Sequence, residues 1–236
     1  MLNIQIRNLT KYYGRSTALR DLNLDISAGE CVAVFGRNGA GKTTLLRILA
    51  GLTRPSSGNF KIGFPDGGLP RFARGEIGYL SHSMSLYHDL TALENLRFFA
   101  GLMNAPADDD ALIQRMVEVG LGGREFDPVR HYSRGMQQRL AIARAFLHDP
   151  AILLLDEPFT GLDHVGLEVL ENYIRRARAE GKTCVMTLHD PALGYNLADR
   201  LVVLEKGAAA LDASKRALTL DWFLKKYHQL ISVDRD

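Results

Sequence analysis

The chain has 236 residues, with 29 Lys and Arg against 27 Asp and Glu and a formal net charge of +2. That near-neutral balance excludes a protein held to nucleic acid or to an anionic membrane by its overall field. Its 46% hydrophobic and 24% charged residues exclude disorder, collagen-like sequence and a membrane-spanning chain, and its length allows one large domain or one domain with an insertion.

The opening stretch Met1-Leu2-Asn3-Ile4-Gln5-Ile6-Arg7 alternates like a strand and lacks the charged start and apolar core of a signal peptide. No run reaches the ~18 apolar residues that a membrane helix needs. A reducing, aqueous compartment is expected, with any membrane role supplied by another polypeptide. Residues 30–36 form a short apolar strand, and a helical pattern starts near Gly41 with Leu45, Leu46, Ile48 and Leu49 as its buried stripe. Residues 151–156, 183–188 and 201–204 are three further continuous apolar runs. Continuous rather than alternating apolarity predicts strands buried on both faces, as in a parallel sheet covered by helices. Cys31 and Cys184 lie inside such runs and are expected as small core side chains, not as a disulfide or reactive thiols.

Between residues 83 and 150 the pattern is helical, with one stripe of Leu93, Leu96, Phe99 and Ala100 and another of Leu112, Met116 and Val119. This predicts a helical insertion, edged by Pro106 with Asp108-Asp109-Asp110 and by Gly120 to Gly123. The acidic triplet is expected to cap a helix and complement its dipole rather than to bind metal. Arg175, Arg176 and Arg178 are expected on a solvated helix face.

Three elements carry chemistry. Gly36-Arg37-Asn38-Gly39-Ala40-Gly41-Lys42-Thr43 fits G-x-x-x-x-G-K-[ST] at every fixed position, between a strand and a helix. Triphosphate charge is met by converging backbone N–H groups at a helix N-terminus, and glycines let that backbone wrap closely. Lys42 is expected to reach the β and γ phosphates and Thr43 to ligate Mg²⁺, with Thr44 completing the nucleotide contacts of the loop. Second, Ile152-Leu153-Leu154-Leu155-Asp156-Glu157 is a buried strand ending in two carboxylates. Asp156 is placed to hold Mg²⁺, and Glu157 to accept a proton from the attacking water. Third, Tyr132-Ser133-Arg134-Gly135-Met136-Gln137-Gln138-Arg139 runs into a helix, where a serine N-cap followed by free N–H groups is an anion site.

Taken together, these elements resemble the nucleotide-binding subunits of ATP-binding-cassette (ABC) transporters over nearly the whole chain. Their signature is Leu-Ser-Gly-Gly-Gln; here Ser133 and Gly135 are kept, and Tyr132, Arg134 and Met136 depart from it. The resemblance implies an α/β P-loop NTPase fold, a RecA-like core with an N-terminal antiparallel β subdomain and an inserted α-helical subdomain. It divides a single domain, 1–236, into a catalytic core with the β subdomain (1–82 and 150–212), a helical subdomain with the signature (83–149), and a C-terminal helix and tail (213–236).

The family's remaining roles fall on Tyr13 as the aromatic stacking on adenine, Asp163 in the loop crossing to a partner subunit, and His189 contacting the γ-phosphate and orienting water and Glu157. Where the family has a glutamine sensing Mg²⁺, this chain has His82; its imidazole either does the glutamine's work less directly or only fills the loop. Implied too are ATP and Mg²⁺ as cofactors and a head-to-tail homodimer in which Ser133, Arg134, Gly135 and Met136 contact the partner's nucleotide. Integral membrane subunits dock near residues 82–99, nucleic acid is not a partner, and the protein sits peripherally on the cytoplasmic side of the cell membrane. Leu86, Tyr87 and Leu90 either receive a membrane partner's short helix or belong to the core of the insertion.

The segment from His82 to Ala100, the Tyr-Ser-Arg-Gly-Met signature and the short C-terminal end are most similar to the ATPase of haem export in cytochrome c maturation, which implies haem-handling proteins as partners. Two other readings stay open: the ATPase of a drug, antibiotic or polysaccharide efflux pump, and a non-transport ABC ATPase acting on DNA or ribosomes. Against the last stand the single cassette, the low net charge and the lack of a basic arm.

Overall fold

The alternation at the start of the chain becomes two long strands, β1 (Asn3–Tyr13) and β2 (Ser16–Ile26), joined by a turn in which Gly14 has φ +57°. A computed structural model describes residues 3–63, 73–81 and 84–232. After β3 (Cys31–Phe35) and helix α1 (Lys42–Leu49) comes β4 (Ser57–Gly63), which pairs with β1 to complete an antiparallel sheet of order β2-β1-β4.

The continuous apolar runs form the second sheet. β3 is joined there by β5 (Ile77–Leu80), β6 (Ile152–Asp156), β7 (Thr183–Thr187), β8 (Arg200–Glu205) and β9 (Ala208–Ser214), in the order β5-β6-β7-β3-β8-β9. All neighbours are parallel except β9, which turns back antiparallel on β8. The expected parallel sheet is therefore present. β9 escaped the sequence reading because Ala-Ala-Ala-Leu-Asp-Ala-Ser is built mostly of residues with low strand preference and holds no β-branched or aromatic side chain, and it lies at the edge of the sheet.

Side-chain parity splits the core in two. Val32, Val34, Ile152, Leu154, Val185, Val202 and Leu204 face α1 and the antiparallel sheet. Ala33, Phe35, Leu153, Leu155, Met186, Leu201 and Val203 face the remaining helices: α2 (Ala92–Met103), α3 (Asp109–Glu118), α4 (Arg134–Ala145), α5 (His164–Ala179), α6 (Pro191–Leu197) and α7 (Leu220–Ser232). Each fully buried aliphatic side chain contributes roughly 1.5–3 kcal/mol, so both layers are needed. Cys31 and Cys184 are register partners, buried and free. A hydrogen bond between the two thiols, together with burial, raises the Cys184 pKa.

Asp108 caps α3 by accepting from the Ala111 N–H at 2.9 Å, and Asp109 pairs with Arg97. The capping reading of the acidic triplet holds at Asp108. The arginine run needs one correction. Arg175 and Arg176 are exposed, as expected, but Arg178 is half-buried and ties α5 to the Leu197 carbonyl and to Asp199. The α6–β8 junction lies over that turn of α5, which the sequence period alone does not reveal.

Two buried polar residues organise the helices between β5 and β6. Asn95 of α2 accepts from the Tyr87 N–H at 2.8 Å and donates to the carbonyls of Tyr87 and Thr91, each at 2.9 Å. Arg144 of α4 is 6% exposed and donates to the carbonyls of Ser85 at 3.0 Å and Tyr79 at 3.4 Å, its guanidinium lying 5.0 Å from the Phe99 ring centre. Desolvation lowers its pKa to about 10, so it stays charged at neutral pH. Replacing Asn95 by alanine strands the Tyr87 N–H, while the Tyr87 carbonyl keeps the Leu90 N–H at 3.3 Å; Asn95→Ala is expected to lower unfolding free energy by about 1–3 kcal/mol. Urea denaturation checks this, and a loss under ~0.5 kcal/mol contradicts the stapling role.

Candidate functional site

The phosphate loop leaves the end of β3 and enters α1. Gly41 is the N-cap in a left-handed conformation, φ +102°, and a Cβ there would lie 2.3 Å from the Ala18 carbonyl oxygen. Gly36 is equally constrained, since its Cβ would stand 2.4 Å from the Leu204 carbonyl oxygen. Gly39, φ +83°, instead faces open space. The glycines thus press the loop against β2 and β8 on one side and leave its other side open.

Helices α2, α3, α4, α5 and α6 begin with a side chain, Thr91, Asp108, Ser133, Asp163 or Asp190, accepting from their first-turn amides. No side chain caps α1, and no acidic residue lies in its first turn. Those amides and the dipole's positive end are left to an anionic ligand. They border an open cleft of 380 Å³ lined by Ser16, Ala18, Asn38, Gly39, Gly41, Lys42, Thr43, Thr44 and Glu157. Arg37 and Ala40 belong to the same loop, and Ala40 donates its N–H to the Arg37 carbonyl.

Lys42 is buried and folds back over its own loop, its Nζ donating to the carbonyls of Gly36 at 2.8 Å and Arg37 at 3.3 Å. Desolvation lowers its pKa, while the charges of Glu157 and Asp156 oppose the shift. Phosphate oxygens offer this ammonium better partners than two carbonyls.

Asp156 ends β6 with only 2% exposure. Its Oδ1 accepts from the hydroxyls of Thr43 at 3.1 Å and Thr187 at 2.8 Å. The Thr187 oxygen in turn accepts from the Glu157 N–H at 2.9 Å. Glu157 departs from the strand with φ +50°. Extended backbone would aim it at the face taken by Leu153 and Leu155; the left-handed turn, costing about 1–2 kcal/mol, puts it at the cleft. There its Oε1 lies 2.6 Å from His189 Nε2.

The Thr43 hydroxyl and Asp156 carboxylate are hard oxygen donors of the kind that suit Mg²⁺, which takes few protein ligands and keeps waters and phosphates. His82, the third predicted metal ligand, lies outside the described residues. Tyr13 is at the exposed tip of the β1–β2 hairpin, with Lys11 Nζ 5.0 Å from its ring centre, and β2 supplies the cleft wall at Ser16 and Ala18.

The signature residues lie elsewhere. Ser133 caps α4 by accepting from the Met136 N–H at 3.2 Å, and Ser133 and Arg134 are exposed; none of Ser133, Arg134, Gly135 and Met136 lines the cleft. A Cβ on Gly135 would come within 2.5 Å of Asp163 Oδ2, so any side chain there would push the Asp163 carboxylate from its place at the start of α5. Asp163 is held by the Gly166 N–H at 2.7 Å and faces Arg139 Nε at 3.6 Å. Gln138 fastens the same loop by donating to the Thr160 carbonyl at 2.8 Å.

Sequence reasoning missed Thr187, Gln138, Ser16 and Ala18. Thr187 has a faint signal: strand parity sets it on the face of Val185 and beneath α1. Nothing in the sequence pairs it with Asp156.

Comparison with known proteins agrees with this geometry. Residues 19–160 match the family model described as ABC transporter. The sulfate/thiosulfate import ATP-binding protein CysA 2 of Rhizobium meliloti is 38% identical over 216 residues, covering 88% of this chain and 58% of that protein. The lantibiotic transport ATP-binding protein SrtF of Streptococcus pyogenes is 34% identical over 209 residues, covering 89% of this chain and 90% of the relative. Among solved structures, the dimeric post-hydrolysis state of an ATP-binding cassette with ADP and phosphate superposes with a TM-score of 0.79 at 27% identity, covering 91% of this chain and all of that one. Among the described residues no helix is long and apolar enough to cross a membrane. The uncapped phosphate-loop helix beside a buried aspartate is the nucleotide site common to P-loop NTPases, and the family match over residues 19–160 together with these relatives narrows it: the chain belongs to the ABC transporters as an ATP-binding cassette that hydrolyses ATP.

Proposed function

We propose that this cassette works as a head-to-tail pair, each ATP lying between the phosphate loop of one copy and Ser133, Arg134, Gly135 and Met136 of the other. The observation that carries this reading is the separation of the two half-sites: the cleft at α1 is open, and the exposed start of α4 lies outside it. A single copy offers phosphates one wall; a second copy supplies the other, with Asp163 in the loop beside it.

Within the closed pair Lys42 leaves its loop carbonyls for the β and γ phosphates, and Tyr13 stacks on adenine. Thr43 and Asp156 hold Mg²⁺, which supplies charge neutralisation of the phosphates when bound. Glu157 takes the proton of the attacking water, and His189, already against its carboxylate, holds it in line and meets the γ-phosphate. Hydrolysis separates the pair, so binding energy becomes motion of whatever rests on the helices between β5 and β6.

The docking face we assign is aromatic. Tyr87, Phe98 and Leu102 are 50%, 42% and 65% exposed, and Tyr87 packs edge-on to Phe98 with ring centres 5.0 Å apart. Leu86 and Leu90 are half-buried, and Leu86 packs against the core. An amphipathic segment of a membrane subunit fits such a patch, and it would hold the cassette at the cytoplasmic side of the membrane.

The substrate reading is haem export for cytochrome c maturation, supported by the resemblance of residues 82–100 and of Tyr132 to Met136. An efflux reading is favoured by SrtF, named for lantibiotic transport and matched over 90% of its length. Trapping Glu157→Gln with ATP in the native host and identifying the membrane proteins it retains separates the two: haem-handling subunits support the first, a lone permease the second.

Glu157→Gln is expected to lower kcat at least ~100-fold while ATP still drives dimerisation; a variant that stays monomeric on a sizing column with ATP and Mg²⁺ contradicts the clamp. Paired truncation of Tyr87 and Phe98 to alanine is expected to leave ATP binding intact and to cost at least ~2 kcal/mol of membrane-subunit binding. Unchanged co-purification would place docking elsewhere.

A further inference from the structure

We propose that Thr187 is a positioning residue for ATP hydrolysis, holding the backbone of Glu157 and the carboxylate of Asp156 through one hydroxyl. This rests on the catalytic reading of Glu157 and deepens it. Thr187 is the last residue of β7, fully buried, and the register partner of Asp156. Parity turns it, with Val185, toward α1, and turns Asp156 the same way with Ile152 and Leu154. The two side chains therefore meet beneath Thr43.

The hydroxyl is used twice. As donor it bonds Asp156 Oδ1 at 2.8 Å, and as acceptor it takes the Glu157 N–H at 2.9 Å. That amide belongs to the residue with φ +50°, the step that swings the carboxylate from the core face to the cleft. Two residues on, across the buried Leu188, His189 meets the Glu157 carboxylate at 2.6 Å. One strand end thus grips Glu157 at both ends, the backbone through Thr187 and the carboxylate through His189. Serine preserves this hydroxyl; valine keeps the shape and loses both bonds.

A residue that only fills its site tolerates valine, whereas a positioning residue shows its loss in kcat. The full chain is assayed for ATP hydrolysis with Mg²⁺ as wild type, Thr187→Val, Thr187→Ser, Glu157→Gln and the double variant Thr187→Val/Glu157→Gln. Thr187→Ala, smaller and free of overpacking, is assayed in parallel and judged by the same criterion if the valine variant does not fold. The expected result is a fall in kcat of at least ~10-fold for Thr187→Val with KM for ATP within ~3-fold, and at least about half of wild-type kcat for Thr187→Ser. In the double variant no further loss appears beyond Glu157→Gln, and the ATP-driven dimer persists.

The proposal is overturned if Thr187→Val keeps more than about half of kcat, if serine falls as far as valine, or if the whole loss lies in KM. Loss of the ATP-driven dimer in the double variant alone would show that Thr187 serves nucleotide binding instead, which also overturns it. Failure of the underlying reading looks different: Glu157→Gln then hydrolyses ATP at the wild-type rate whatever stands at position 187.

Discussion

A carboxylate at the end of a fully buried strand is costly unless hydrogen bonds satisfy it, and Asp156 is such a group. Thr43 reaches it from the phosphate-loop helix and Thr187 from the neighbouring strand. This bond set joins α1, β6 and β7 at one point. Because β6, β7 and β3 are adjacent and parallel, their carboxyl ends lie together, and each contributes its chemistry there: Glu157, His189 and the phosphate loop. Crevices at the carboxyl ends of a parallel sheet are where ligands bind in such folds.

The residues around that point are held by different means. The glycines of the loop are fixed by steric approach to β2 and β8, Lys42 by its own loop carbonyls, and Glu157 by a strained backbone with support from β7. Farther out, the buried Arg144 joins α4 to Tyr79, Ser85 and Phe99. In the proposed clamp, Arg144 therefore ties α4, the helix that begins with the signature and carries it, to Phe99, the ring beside Phe98 of the exposed aromatic patch. The oxygens it meets are the backbone carbonyls of Ser85 and Tyr79, which tie it to the positions of these segments.

Much of this was legible in the sequence because it rests on local rules. Continuous apolarity marked β3, β6, β7 and β8; the phosphate loop and the Asp156-Glu157 pair carried their own spacing; Ser133 and Asp108 announced helix starts. What stayed hidden depends on pairing between distant segments. Gly135 has no local reason to be glycine until Asp163 is set against it, and Asn95 looks like an ordinary helix residue until it closes on Tyr87. Arg178 departed from the expected solvated face for the same cause, since its partners Leu197 and Asp199 lie 19 and 21 residues further along the chain, beyond the reach of helical period. The left-handed backbone at Glu157 is the sharpest case, because a non-glycine residue carries no sign of it.

The measurement that bears most directly on the central claim is a structure of Glu157→Gln with ATP and Mg²⁺. It should contain two copies facing head to tail, with Lys42 released from the Gly36 and Arg37 carbonyls onto the phosphates, Thr43 and Asp156 at the metal, and Ser133 of the partner subunit across the nucleotide. A nucleotide bound by a single copy, with Lys42 still on its loop carbonyls and Asp156 remote from the phosphates, would contradict it.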